Sequence, residues 1–518
     1  MLFKERDREK GGGAAVPGER KMFVGVVWNC AAELKILLTA LLLLFSIITI
    51  LQFIPARVSF SSAVDLRSCL SSQPSSVTAV TASTAAIQSV SNFSAAGLWP
   101  PPTVVRDEVL ENGVVKRAFN GFGSAAYNFV LMSAYRGGDN TFAVMGLASK
   151  PLHVYGKPNY ECEWVPADES QDSVTVSGQK ILPDWGYGRV YTVVVVNCTF
   201  PSPVGDADNG GKLVIHATTN GGGDTKFNVT DTFEAIVETP EDFSNFTKVF
   251  QAPPKYDYLY CGSSLYGNLS PQRVREWLAY HVRMLGEKSH FVIHDAGGVH
   301  PEVLEVLKPW MERGYVTLQD ITDQERFDGY YHNQFLIVND CLHRYRYHAK
   351  WMFFFDVDEF IFVPKKSTLK SVLASFSDHT QFTIEQMPMS NKLCLREDFG
   401  KTYRKWGFEK LVYKDVKKGI RRDRKYAVQP RKVFATGVHM SQNTVGKTTH
   451  KTEGQIMYFH YHGTIAERRE PCRRLVNSTT ITVDGTPYAL DTTMRDAAGV
   501  VKRFELKTIG PRLQRTRQ

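Results

Sequence analysis

Asp356 and Asp358 are separated by a single valine, and Glu359 follows directly. Alternation along an extended chain puts the two aspartates on the same side. Two carboxylates held together at a strand end suit a hard divalent cation that keeps open positions for phosphate oxygens. The acids interrupt the apolar run WMFFFDVDEFIFV at 351–363, where an unpartnered buried charge would be costly. The plain alternative is a strand that ends in a charged turn and binds no metal.

Histidines further along offer the nitrogen ligands such a site takes. His439 lies in Thr436-Gly437-Val438-His439-Met440, and His460 and His462 lie on one face of the strand-like run Tyr458–His462. A cation held by one or two carboxylates often takes imidazole as a further ligand, Mn²⁺ especially. The ordinary reading of any one of these histidines is a satisfied core or surface residue. His460 and His462 are the first choices as ligands.

Between the acids and the histidines the charge is lopsided. Residues 401–432 hold thirteen Lys or Arg against three acids, a net +10, which leaves −1 for the rest of a chain whose total is +9. The positive charge is therefore local and points to an anionic partner at one place, not to general nucleic-acid binding. Lys417, Lys418, Arg421, Arg422, Arg424 and Lys425 would neutralise a diphosphate or hold an acidic polysaccharide. A diphosphate needs only one or two such cations, so six favour a longer polyanion. The bland reading is a solvated basic loop.

The elements that must position these residues alternate strand and helix over 246–470. Tyr256–Cys261, Ser289–His294, Tyr315–Leu318 and Trp351–Phe355 read as strands. Helical spacing covers Pro271 to Gly286, Pro301 to Arg313 and Tyr331 to Ala349. That alternation predicts right-handed βαβ units and a mostly parallel, Rossmann-like sheet. Ligands bind beyond the carboxyl ends of such strands, so Ser263, Asp295 and Asp356 are expected to share one cleft.

Residues 106–245 read differently. Short β-rich runs (Tyr127–Ser133, Thr141–Leu147, Val190–Phe200, Lys212–Thr218, Thr232–Val237) are separated by Gly, Asn, Asp and Pro, the pattern of an antiparallel sandwich. Tyr155, Tyr160, Trp164, Trp185, Tyr187 and Tyr191 would stack on sugar rings or serve as ordinary core aromatics.

At the N-terminus, a basic segment, 1–35, precedes the apolar stretch Ile36 to Ile54, long enough to cross a bilayer as a helix. The basic flank and the lack of a cleavage site predict a single-pass anchor with its N-terminus in the cytosol. Residues 55–105 read as a stem. Sequons at Asn92, Asn197, Asn228, Asn245, Asn268 and Asn477 all follow the anchor, with Pro271 weakening the Asn268 site. Six cysteines (Cys162, Cys198, Cys261, Cys341, Cys394, Cys472) follow the stem, an even number consistent with disulfides of unassigned pairing. With 43% hydrophobic and 22% charged residues, most of the 518-residue chain is expected to bury a core, in about three units.

Several runs together resemble glycosyltransferase family 92: Tyr331-His332-Asn333-Gln334, Asn339-Asp340-Cys341-Leu342 and Phe353–Phe360. Trp406–Lys410, Gly419–Tyr426, Gly437–Ser441 and Tyr461-His462 are similar to its plant branch, the pectic β-1,4-galactan synthases. The resemblance covers essentially the whole chain. It implies a type II membrane enzyme of the Golgi with a GT-A catalytic fold at 246–470, preceded by a carbohydrate-binding module at 106–245. It also implies UDP-galactose as donor, Mn²⁺ as cofactor, inversion at the anomeric carbon, and galactan side chains of pectin as acceptor. Asp356 and Asp358 would be the metal–diphosphate pair. The base on the acceptor hydroxyl would be Glu409 or Asp398, with Glu409 preferred, although each also reads as a surface charge. Asp295, Gln334 and Asp340 would line the nucleotide pocket. A homo-oligomer is expected. UDP-arabinopyranose is an alternative donor, since one hydroxymethyl group discriminates weakly. A membrane-anchored lectin without catalysis is the rival class, but it gives no reason for Asp356-Val357-Asp358. A haloacid-dehalogenase-like hydrolase would carry its D-x-D early in the chain. The stretch 471–518 suggests a strand–turn–strand and a basic helix, without a functional reading.

Overall fold

Both faces of the run 351–355 are apolar, and the computed structural model places its strand, Ala349–Phe354, in the middle of a sheet. The structure describes residues 104–123, 127–150, 158–183, 190–219, 229–327 and 329–516, with 330–333 as backbone only. The expected anchor 36–54 and almost all of the stem lie outside these residues, as do Asn92, Asn228, Tyr155, Trp185 and Tyr187. Among the described residues no helix is long and apolar enough to cross a membrane.

The strand Ala349–Phe354 pairs in parallel with Tyr256–Leu265, which pairs in parallel with Ser289–Asp295, and that strand with Val316–Asp320. The helices Pro271–Leu285, Pro301–Met311 and Tyr330–Arg344 make the intervening connections, as the spacing predicts. The sheet does not stay parallel beyond this half. Arg424–Val428 runs antiparallel to both Ala349–Phe354 and His379–Pro388, and Met457–His460 runs parallel to His379–Pro388 and antiparallel to Glu359–Phe362. The sheet is mixed, and the expectation of a mostly parallel one is corrected. The two apolar flanks of the acidic motif are not neighbours: three strands lie between Ala349–Phe354 and Glu359–Phe362 in the sheet order. Residues 355–358 are a crossover between distant strands, and the strand carrying His460 lies directly beside Glu359.

The β-rich segment is one antiparallel path of eight strands between Asn120 and Glu238. Its end strands approach each other, with Phe233 stacked on Phe122 and Phe129. Side chains alternate between two cores. Phe129, Leu131, Val144, Val194 and Val196 face inward, while Val130, Met132, Met145, Val193 and Val195 pack on Leu336, Ile337 and Cys341 of the Tyr330–Arg344 helix. Runs such as Val193–Val196 are continuously apolar because both faces are buried. Tyr160 and Trp164 belong to the inner core at 2% exposure, and Tyr191 to the interface core, so these three are not a platform for sugar.

The segment past Cys472 packs against the strands and helices of the mixed-sheet unit. Thr486–Leu490 pairs with Tyr413–Asp415, and the helix Thr493–Ile509 packs on Pro271–Leu285, where Glu505 accepts two hydrogen bonds from buried Arg275 at 2.7 and 2.5 Å. The six cysteines form three disulfides: Cys162–Cys198 within the β-module, Cys261–Cys341 between the central sheet and the Tyr330–Arg344 helix, and Cys394–Cys472. Asn245, Asn268 and Asn477 are exposed, and Asn197 sits half-buried in a strand.

Candidate active site

The acidic loop is held by its own third acid. The amide of Asp356 donates to the Glu359 carboxylate at 2.7 Å, and the amide of Glu359 donates to the Asp356 carbonyl at 3.1 Å. Trp277 Nε1 donates to the Glu359 carbonyl and Tyr260 Oη to that of Phe355, both at 2.9 Å. These bonds close a turn, so 356–358 is not the extended backbone that the alternation argument assumed, and the two aspartates meet different partners.

Asp356, at the end of the Ala349–Phe354 strand, accepts from Lys425 Nζ at 2.8 Å and from the Ser263 hydroxyl. Burial opposes its ionisation, but the Lys425 ammonium and the Ser263 bond hold the carboxyl below its ordinary value. Burial also pushes Glu359 up to about 8, with the Asp356 charge adding to the effect and Lys425 opposing it. Lys425 lies 3.7 Å from Glu359 and is held protonated by the two acids against the cost of its burial. Gln334, Ser263, Asp356, Lys425 and Gly437 line one small pocket. Lys425, read from sequence as part of a basic run, is therefore a site residue.

Asp358 is 11% exposed and has other hydrogen-bond partners than Asp356. It accepts from the amide of Gly463 at 2.9 Å and lies 3.5 Å from His460 Nε2. Burial disfavours the charged imidazole, but the Asp358 hydrogen bond and charge prevail and raise the His460 pKa above its ordinary value. Asp358, His460 and His462 each offer a ligand atom, all within 4.8 Å of one another. A carboxylate oxygen and two imidazole nitrogens fit a divalent transition metal such as Mn²⁺. Asp356 is not in this group, and neither is His439, which is exposed with its Nδ1 3.1 Å from the Arg424 carbonyl.

Gln386 is a contributor the sequence did not reveal. Its amide lies 2.6 Å from His460 Nδ1, from a strand 74 residues earlier in the chain. A partner at Nδ1 orients the ring and sets which nitrogen is free to act as ligand. Gln386→Leu is expected to weaken Mn²⁺ affinity by about 10-fold to 100-fold, the range for partners that orient metal ligands. Mn²⁺ titration followed by electron paramagnetic resonance measures this, and unchanged affinity would remove Gln386 from the site.

Other expected positions fall elsewhere. Asp340 does not line the pocket of Gln334, Asp356 and Lys425. It is fully buried and accepts from Arg117 at 2.5 and 2.8 Å, Ser133 at 2.6 Å and Tyr135 at 2.7 Å. Burial alone would raise its pKa, but Arg117 and Arg344 hold it far below the carboxylate range. Asp295 ends its strand and accepts from the amides of Gly297 at 2.9 Å and Val299 at 3.0 Å, bracing the following loop. Burial and the nearby Asp320 raise its pKa against those two bonds. Glu409 accepts from the amide of Trp406 at 3.1 Å and pairs with Lys502. Asp398, 3% exposed, pairs with Lys405 and, at 2.9 Å, with Arg495. Both candidate bases are thus committed to ion pairs. A concavity of about 930 Å³ lies on the β-module beside Tyr135, Lys212, Glu234 and Arg344, and no residue of the acidic loop lines it.

Comparison with known proteins bears on the same region. The sequence pattern of glycosyltransferase family 92 matches residues 256–497, which contain the acidic loop, Lys425 and the histidines. Three Arabidopsis thaliana proteins, each named galactan beta-1,4-galactosyltransferase, are similar over long spans. One is 60% identical over 96% of this chain and 98% of its own length, and a second is 58% identical over 100% of both. The third is 55% identical over 76% of this chain and 79% of its own. Identity at this level over whole lengths, together with a matched segment that holds the acidic loop and its histidines, shows that the chain belongs to glycosyltransferase family 92.

Proposed function

We propose that the chain is an inverting galactosyltransferase that moves galactose from UDP-galactose to the non-reducing end of a β-1,4-galactan, on a catalytic sheet of the GT-A kind. The observation that carries this reading is the meeting of Asp358, His460 and His462 beside the Asp356–Lys425 pair, in a chain whose full-length relatives are named galactan beta-1,4-galactosyltransferases.

Asp358, His460 and His462 would hold Mn²⁺, which when bound supplies positive charge for the diphosphate leaving group. Lys425 is a second cation, 2.8 Å from Asp356 and already protonated. The acceptor hydroxyl attacks the anomeric carbon from the face opposite UDP. The new C–O bond forms as the bond to UDP breaks, the electron pair leaves with the diphosphate, and the hydroxyl proton passes to a base. Glu409 and Asp398 are not assigned that role, because each carboxylate is held by Lys or Arg. The cleft on the β-module supports a second role in holding the acceptor chain. The apolar stretch 36–54 supports a Golgi membrane anchor with the catalytic unit in the lumen.

The test is elongation of β-1,4-galactooligosaccharide with UDP-galactose, with Mn²⁺ or with EDTA. Elongation restored by Mn²⁺ and stopped by EDTA is the expected result. Binding of the oligosaccharide without elongation under any UDP-sugar would support the lectin class instead.

A further inference from the structure

The basic stretch holds more cations than the proposed reaction uses, and the structure sorts them. Lys425 serves Asp356, Arg424 donates to the His450 carbonyl at 2.8 Å, Lys414 lies 3.3 Å from Asp491, and Lys410 lies 2.9 Å from Glu470. Arg422 reaches across a loop to Asp415 at 3.1 Å and to the Lys417 carbonyl at 3.3 Å, bracing its neck. Beyond that brace lie Lys417, Lys418 and Arg421. All three are exposed, and none has an ion pair among the described residues. Gly419, at φ 76°, turns the tip, and Val416 and Ile420 are exposed beside the cations at 39% and 44%.

We infer that the 416–421 loop is a docking surface for a polyanionic, uronate-rich polysaccharide that carries the galactan acceptor. The inference rests on the galactosyltransferase reading. β-1,4-Galactan has no ionised groups, and the donor diphosphate already has Lys425 in the metal-and-acid site. Three unpaired cations serve neither substrate. Cations interleaved with exposed aliphatic side chains match carboxylates borne on sugar rings that also present apolar faces. The loop runs directly into the strand bearing Lys425. Three residues separate Arg421 from Lys425, and the four steps between their Cα atoms span at most about 14 Å in extended chain. A polymer held at the tip therefore lies within reach of a galactan end in the site. An anionic membrane is the rival occupant, but this continuity with the site favours the acceptor.

The experiment compares the full chain in detergent with its K417E/K418E/R421E variant. Retention on polygalacturonate is measured by affinity electrophoresis at low and high salt. Transfer is measured to free galactooligosaccharide and to the same oligosaccharide linked to a uronate polymer. The variant is expected to lose retention and to raise KM for the linked acceptor about 10-fold or more, since rim charges steer association and are screened by salt. Its kcat/KM on the free oligosaccharide is expected to stay within about 2-fold, because exposed substitutions outside the site have small effects. Equal loss on both acceptors, or no change in retention, would overturn the inference. So would retention on phosphatidylserine-doped micelles in place of polygalacturonate. If the parent elongated no galactan, the function reading would fail, while polygalacturonate retention would still report on the loop.

Discussion

Asp358→Asn is expected to lower galactosyl transfer about 10³-fold with the fold intact, because metal stabilisation of a leaving diphosphate supplies several kcal/mol and each 1.36 kcal/mol is a factor of ten in rate. The amide keeps the size of the side chain and an oxygen for the Gly463 N–H, which now donates to Asp358 at 2.9 Å. What is lost is the charge shared with His460 and His462. The same variant is expected to lose Mn²⁺ affinity in a titration that needs no substrate, and His460→Ala should match it in both measurements. The contrast with Lys425→Met separates two ways of neutralising the diphosphate. Lys425 is a buried ammonium 2.8 Å from Asp356, so a site that relied on it alone would tolerate Asp358→Asn and fail with Lys425→Met. Full activity in Asp358→Asn would therefore discard the metal and leave Lys425 as the electrophile.

How much of this was legible depends on how local each signal was. The run 351–355 reads as a buried strand because its side chains on both faces are apolar, and 351–354 lie in the sheet as such, although the strand starts at Ala349, which the spacing assigns to the preceding helix. The helix–strand alternation from 256 to 354 is legible for the same reason. His460 and His462 stand out through their spacing next to an aromatic run, and they meet Asp358. The antiparallel half of the sheet is not legible, because what pairs with Ala349–Phe354 on its second side is a strand 70 residues further on, and no local pattern names it. Gln386 is hidden for a related reason: its place beside His460 comes from strand register, not from residue type. The buried pair of Asp340 is hidden because its run resembles a family motif next to Gln334, whereas its partner Arg117 is 223 residues away. Trp164 and Tyr160 stay open between the two readings in the sequence because an aromatic in a β-rich segment looks the same whether it faces solvent or a core, and both lie in the core.

Asp340→Asn is expected to cost about 3 kcal/mol of stability, the lower end of the range for removing one partner of a buried ion pair. Arg117 and Asp340 both have side chains at 0% exposure, so the guanidinium cannot regain water when the carboxylate is neutralised. Asp107, 2.9 Å from Arg117 and partly exposed, remains as a second partner, which places the cost at the low end. The hydroxyls of Ser133 and Tyr135 lose a charged acceptor at the same time. Ser133 and Tyr135 come from the β-module, Asp340 from the Tyr330–Arg344 helix, and Arg117 from the end of a short strand, Val115–Lys116, on the central sheet, and apolar residues of the module and the helix form one shared core. The unit from residue 104 onward should therefore unfold in one transition, which the variant moves as a whole. The effect should also reach the chemistry. The same helix carries Gln334 into the Asp356 pocket, and its Cys341 is bonded to Cys261, which lines that pocket too. KM for the donor is expected to rise more than kcat falls. Arg117→Met with Asp340→Leu should recover most of the lost stability, because it removes both buried charges together. Calorimetry with donor kinetics on the single and double variants measures both effects. A β-module that melts separately, or an Asp340→Asn variant as stable as its parent, would show that the module is a detachable domain and not part of the scaffold of the catalytic site.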